Sequence, residues 1–341
     1  MVALAEFDYP LPPEAIAQVP AEPRESARLL VDLGAGVSHR RVSDLPDLVG
    51  PGDVLVVNET RVRPARLLLR KATGGQVEVL LLEPAGDGWR ALVRPGRRAP
   101  AGTLLAAEEG GPPLVEVGGD AGDGTRTVRL LDDVDPHAAL ALPPYITAGL
   151  ADPERYQTVY ARTPGSVAAP TAGLHLSHAV LDACRERGAE VHAVDLAVGL
   201  GTFRPMKAGV VEDHVMHGEH YTVPAGTMEA CRRAGRVVAV GTTTVRALES
   251  AAATGRLTGR TELFIHGDYP FRAVDVLLTN FHQPRSSLLV LLAAFAGPRW
   301  RGLYEVALAE GYRFLSFGDA MLVSIRPGSS RGAPVRREGG R

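Results

Sequence analysis

Thr227–Ala253 reads TMEACRRAGRVVAVGTTTVRALESAAA, and this stretch decides the fold. Thr227 is expected to cap a short helix that stops at Gly235, and RVVAV (236–240) is a continuous apolar run of the kind a buried parallel strand carries. Gly241-Thr242-Thr243-Thr244 then leads into a second helix whose apolar face is Val245, Leu248, Ala251 and Ala252, with Arg246 and Ser250 expected on the face opposite the core. Helix, buried strand, Gly-Thr turn and helix together specify an α/β domain. The turn places unsatisfied N–H groups and hydroxyls at a helix N-terminus, where an anionic or polar ligand can bind; a capped structural turn is the competing explanation. A nucleotide-binding Walker loop is ruled out, because no Gly-Lys precedes the threonines.

Working outward, the same grammar recurs. DVLVVN (53–58) is a short apolar strand that stops at Glu59, Thr60 and Arg61; Val191–Val198 precedes GLGTFRPM, and Val274–Leu278 precedes Thr279-Asn280-Phe281-His282-Gln283-Pro284-Arg285. Buried strands ending in polar side chains are the pattern by which α/β sheets present their ligand sites. Tyr156–Ser177, YQTVYARTPGSVAAPTAGLHLS, combines glycines, prolines and hydroxyls with one histidine and suits a pocket wall or an ordered structural loop. Ser177 should cap a helix ending near Gly188, SSLLVLLAAFAG is apolar nearly all round and should be a buried helix, and Tyr312–Ile325 reads as two closing strands.

From Ala65 to Pro143 the texture changes to short β-rich runs separated by Gly and Pro turns, which indicates a small antiparallel barrel inserted in the α/β chain. The expected division is therefore 1–64 plus 144–326 for the main α/β domain, 65–143 for the inserted β-barrel and 327–341 for a disordered tail. The five prolines between Pro10 and Pro23 forbid a long N-terminal helix.

The 341 residues carry a net charge of -2, so no global field attracts nucleic acid, although a local Arg patch can still hold phosphate. Cys184 and Cys231 have no metal-ligand or redox spacing, and the N-terminus lacks the basic start and apolar core of a signal peptide. The apolar run from Leu288 to Gly297 is about half a membrane span. A cytoplasmic protein is expected, as a monomer rather than a stable oligomer. Asp213-His214-Val215-Met216-His217-Gly218-Glu219-His220 is the densest acid/base cluster; Gly218 argues against the helical zinc signature, so general acid/base work is expected and no metal.

Together these phrases resemble the tRNA S-adenosylmethionine ribosyltransferase-isomerase family of queuosine biosynthesis. The likeness runs from about Phe7 to Ile325 through FDYPLPPEAIAQVPAEPRESARLL, VVNETRVRPARL, GSVAAPTAGLH, VGLGTFRP, DHVMHGEHY, VGTTTVRALESAA, LLTNFHQPRSSLL and YRFLSFGDAML. The resemblance implies an α/β domain with an inserted β-barrel. It also implies transfer and isomerisation of the ribosyl unit of S-adenosylmethionine, a donor substrate, onto 7-aminomethyl-7-deazaguanine in a tRNA anticodon. Epoxyqueuosine forms, and adenine and methionine leave.

Such chemistry needs a base for the C5′ proton acidified by the sulfonium and a proton donor for adenine. His214, His217 and Glu219 are the candidates, with His175 competing. Contacts to donor and anticodon are expected from Asn58, Thr60, Arg61, Thr171, Arg204, Thr243, Arg246, Asn280, His282 and Arg285. The sequence departs from the family pattern at Val19, Glu59, Ala197 and His266-Gly267-Asp268. Ala197 stands where a His is usual, which leaves open a paralogue with a different acceptor, or an inactive tRNA-binding protein.

Overall fold

The structure is a computed structural model that describes residues 1–122, 124–199, 206 and 209–328. The chain divides into two compact units, one formed by Met1–Arg61, Pro144–Thr163 and the residues from Ala169 onward, the other by Val62–Pro143 with Pro164–Ala168.

Among the described residues, the larger unit is built on a nine-stranded mixed sheet in the order Thr258–Thr261, Glu219–Thr222, Glu190–Leu196, Asp53–Asn58, Arg236–Val240, Val276–Asn280, Ala320–Ser324, Arg28–Asp32, Val37–Arg41. Its centre is four parallel strands, because Glu190–Leu196 and Arg236–Val240 both run parallel to Asp53–Asn58, and Val276–Asn280 runs parallel to Arg236–Val240. The apolar runs Asp53–Asn58 and Val276–Asn280 are buried at every position, as central strands covered on both faces must be. One core cluster gathers Leu55, Val57, Val238, Val240, Leu278 and Leu322 of the sheet with Val180, Leu181 and Cys184 of the helix His178–Glu186. That helix starts as expected, with the Ser177 hydroxyl accepting from Val180 N–H at 3.3 Å. The buried helix Ser287–Ala296 is capped by Ser286 in the same way.

Four details differ from the sequence reading. The helix before Arg236 spans Ala225–Arg233, and Thr227 is buried inside it, its hydroxyl donating to the Ala193 carbonyl at 2.9 Å, so a core hydrogen bond replaces the expected cap. The helix Thr242–Thr254 is buried at every position from Thr242 to Ala251, so Arg246 and Ser250 are covered rather than on an outer face. Of the two closing strands only Ala320–Ser324 joins the sheet; Phe314 makes an isolated bridge with Ile16, and the chain reverses at Leu315 with φ 69°. The helix Arg299–Ala309, with Trp300, Leu303, Tyr304 and Ala307 buried, had no counterpart in the sequence reading.

In the smaller unit, six strands pair in the order Arg66–Lys71, Gln76–Ala85, Gly88–Arg94, Thr125–Leu130, Pro113–Gly122, Leu104–Ala106. Lys71 pairs with Leu105, which closes them into a barrel. Alternation sets the interior: Leu67 and Leu69 are fully buried, whereas Leu68 between them is 52% exposed. The expected class, α/β with an inserted small β-barrel, is the class observed.

Candidate active site

The carboxyl ends of the four parallel strands collect most of the residues singled out from the sequence. Asn58, the last residue of its strand, is fully buried and its amide is fully used. Nδ2 donates to the Leu196 carbonyl at 3.1 Å and to Thr243 Oγ1 at 3.2 Å, while Oδ1 accepts from the N–H groups of Leu196 and Thr60. Asn58 therefore ties three neighbouring segments together instead of reaching outward. Thr60 beside it is also buried.

Above this brace starts the helix Thr242–Thr254. Gly241 turns the chain into it at φ 90°, a backbone conformation that L side chains rarely adopt, and no side chain caps the first turn. Arg246, one turn in, is 5% exposed. Its Nη1 donates to Glu219 Oε2, and its Nε donates to the Leu263 carbonyl at 3.1 Å. Nη2 is buried with no hydrogen-bond partner among the described residues. Glu219, equally buried, accepts with its other oxygen from the Gly199 N–H at 2.8 Å. An ion pair so deeply buried is costly to break on one side only, about 3–5 kcal/mol.

Next along the edge, Thr171 donates to Asn280 Oδ1 at 3.0 Å, and Asn280 Nδ2 donates to His175 Nε2 at 3.0 Å. Since Nε2 accepts, the neutral ring carries its proton on Nδ1. Burial, aided by the positive charges of Arg313, Arg155 and Arg24, pushes the His175 pKa down to about 4. His282 is similar: burial lowers it to about 3, Nε2 meets Thr279 Oγ1 at 2.9 Å, and its backbone N–H donates to the Tyr304 hydroxyl. Both imidazoles are neutral at pH 7. The two groups of residues adjoin at Gly241, where an added Cβ would touch Ala172 at 3.8 Å.

His214 lies outside this buried row. Its half-buried ring packs edge-on to Phe264 at 5.2 Å, and burial with the neighbouring His217 charge lowers its pKa. Phe264 in turn borders a narrow cleft at the start of the Thr242–Thr254 helix. Thr242, Thr243, Arg246 and Ser287 supply the polar lining; Met216, Leu263, Leu288 and Leu291 supply apolar walls.

Two expected contacts sit elsewhere. Arg61 pairs with the exposed Glu154 at 2.6 Å, and exposed Arg285 pairs with Asp8. Arg204 lies outside the described residues. Among the described residues no three His, Cys, Asp or Glu side chains converge as a metal cage, the Asp213–His220 cluster included.

A model of the queuosine biosynthesis protein family matches residues 4–323. The chain belongs to this family. It is 52% identical over 324 residues to the S-adenosylmethionine:tRNA ribosyltransferase-isomerase of Rubrobacter xylanophilus, covering 93% of this chain and 96% of that one. Against the enzyme of the same name from Thermus thermophilus it is 51% identical over 346 residues, covering 95% and 100%. A crystal structure of S-adenosylmethionine tRNA ribosyltransferase from Thermotoga maritima superposes with a TM-score of 0.54 at 36% identity, covering 93% of this chain and 99% of that one. The queuosine family resemblance read from the motifs is thus established.

For this family member, sequence reasoning missed the apolar side of the cleft. Met216 was visible inside the histidine cluster, but Phe264, Leu288 and Leu291 look like ordinary core residues until the helices are in place. Asp195 was missed too: burial raises its carboxyl above the ordinary aspartate range, Glu59 adds to the rise and the Thr60 hydroxyl opposes it. A lone Asp at a strand end carries no sequence signal for this. No described helix is long and apolar enough to cross a membrane.

Proposed function

We propose that this chain is an S-adenosylmethionine:tRNA ribosyltransferase-isomerase. On this reading it transfers and isomerises the ribosyl unit of S-adenosylmethionine onto 7-aminomethyl-7-deazaguanine in a tRNA anticodon and releases adenine and methionine. The observation that carries this is near-full-length identity of about 50% to relatives bearing that name, together with a strand-end site rich in donors and neutral imidazoles. The altered-acceptor and inactive-binder alternatives are not favoured, since relatives at this identity share one name despite the departures at Val19, Glu59 and Ala197.

Roles follow from access and protonation. Glu219 is committed to Arg246 and the Gly199 N–H, and anchors the site. His175, 4% exposed and with Nε2 occupied, positions Asn280 and Thr171. His214 and His217 remain as the proton-transfer pair. A neutral His214 ring suits removal of the C5′ proton, because a base must be unprotonated at working pH. Asn58 and Thr243 hold the strand ends in register, and Arg246, Asn280 and His282 shape the donor side. Arg61 and Arg285 at the surface are suited to the phosphates of tRNA, whose reactive base must be splayed out to be reached. The division 1–64 plus 144–326 around an inserted 65–143 completes this reading, with the enzyme acting as a monomer in the cytoplasm.

The test is a single-turnover reaction of purified protein, labelled S-adenosylmethionine and tRNA carrying 7-aminomethyl-7-deazaguanine. Epoxyqueuosine in the tRNA together with released adenine is expected. Adenine without modified tRNA would refute the acceptor, and neither product would refute the activity.

A further inference from the structure

We propose that the cleft at the start of the Thr242–Thr254 helix seats the amino-acid end of the donor, with the α-carboxylate bound by Arg246 Nη2 and the uncapped first turn. This rests on the proposed donor and adds where, and by which group, its methionine half is held.

Two independent observations meet there. The first is the helix N-terminus itself, 13 residues of helix whose opening turn has no side-chain cap, with Thr242 and Thr243 lining the cleft. The opening N–H groups of a helix lack intrahelical partners and favour an anion. The second is Arg246. Two of its three nitrogens are satisfied, by Glu219 and Leu263, while the third is buried and has no partner among the described residues; Arg246 itself lines the cleft. A buried guanidinium nitrogen without an acceptor costs free energy that an arriving carboxylate recovers. Because Glu219 already balances the charge of Arg246, the subsite is tuned to hydrogen-bond one planar anion rather than to attract phosphates at long range. Met216, Leu263, Leu288 and Leu291 are apolar and match the methylene and S-methylene stem behind that carboxylate.

The experiment compares S-adenosylmethionine with its decarboxylated analogue by calorimetric titration of the full-length protein, wild type and Arg246→Lys. Lys can still pair with Glu219 but lacks the second nitrogen. Wild type should bind the analogue about 10–100-fold more weakly, and in Arg246→Lys, where only the helix turn still meets the carboxylate, that preference should shrink about tenfold. Equal affinity of wild type for the two compounds, or an undiminished preference in Arg246→Lys, would overturn the assignment while leaving the donor reading intact. A wild-type protein that binds neither would overturn the donor reading itself. If Arg246→Lys does not fold, Leu288→Trp fills the apolar wall and leaves the ion pair alone. It should weaken binding of S-adenosylmethionine about tenfold or more relative to wild type, and undiminished binding would overturn the proposal.

Discussion

Replacing His175 by Gln should make the α/β unit less sensitive to acid, by an amount the structure sets. In the folded chain the ring titrates at about 4, against an ordinary value of 6.5. A folded-state pKa below the unfolded one means that the unfolded chain takes up the proton first, so stability is intact above pH 6.5, falls as pH drops below it, and levels off below about 4. Between pH 7 and 5 the linkage relation for these two values removes about 2 kcal/mol. Gln does not titrate and its carbonyl can still accept from Asn280 Nδ2, and His282 is present in both proteins, so its contribution cancels. The sequence has two tryptophans, and Trp300 lies in the larger unit. Urea unfolding followed by Trp300 fluorescence in a Trp89→Phe background therefore reports on the unit that holds His175. Wild type should lose about 2 kcal/mol more than His175→Gln between pH 7 and 5. A stability difference between the two proteins that is the same at both pH values would refute the claim that this imidazole is held neutral.

Asn58→Ala leaves the buried N–H groups of Leu196 and Thr60 without their acceptor and should cost roughly 2–4 kcal/mol in urea unfolding; no loss would mean that the brace is dispensable. At Gly173 a Cβ would lie 2.1 Å from the Tyr160 hydroxyl, so Gly173→Ala should destabilise by about 1–3 kcal/mol, with part of the loss recovered in the double variant with Tyr160→Phe, both read by thermal melting. His214→Ala should lower single-turnover rate by about 10²-fold or more while S-adenosylmethionine affinity stays nearly unchanged; a parallel loss of affinity and folding would assign the ring to structure. Asn280→Ala should slow turnover about tenfold or more through the misplaced loop, and Asn280→Asp should restore less than Asn280→Gln if the amide donor to His175 is what counts.

Local signals read well where the physics is local. The bounds of Asp53–Asn58 and Arg236–Val240 coincide with their apolar runs, and Ser177 and Ser286 begin their helices because a hydroxyl before the first turn needs no tertiary partner. Arg299–Ala309 escaped because no side chain caps its start: Pro298 stands at the N-cap, where its missing N–H is harmless. Thr227 misled because its hydroxyl finds a carbonyl in another strand instead of its own helix.

By itself the sequence determined the class of the molecule: apolar runs ending in polar residues demand a sheet with a ligand edge, and short turn-punctuated strands between 65 and 143 demand a small barrel. Its motifs also determined the family. What only the tertiary structure decided is which of those polar residues face one another. Glu219 meets Arg246, 27 positions away, because the strand Glu219–Thr222 pairs between Thr258–Thr261 and Glu190–Leu196. His175 meets Asn280 across 105 positions. Periodicity is a property of neighbours along the chain, while register, crossover and the burial of an arginine depend on which strands lie side by side, and only the folded sheet sets that.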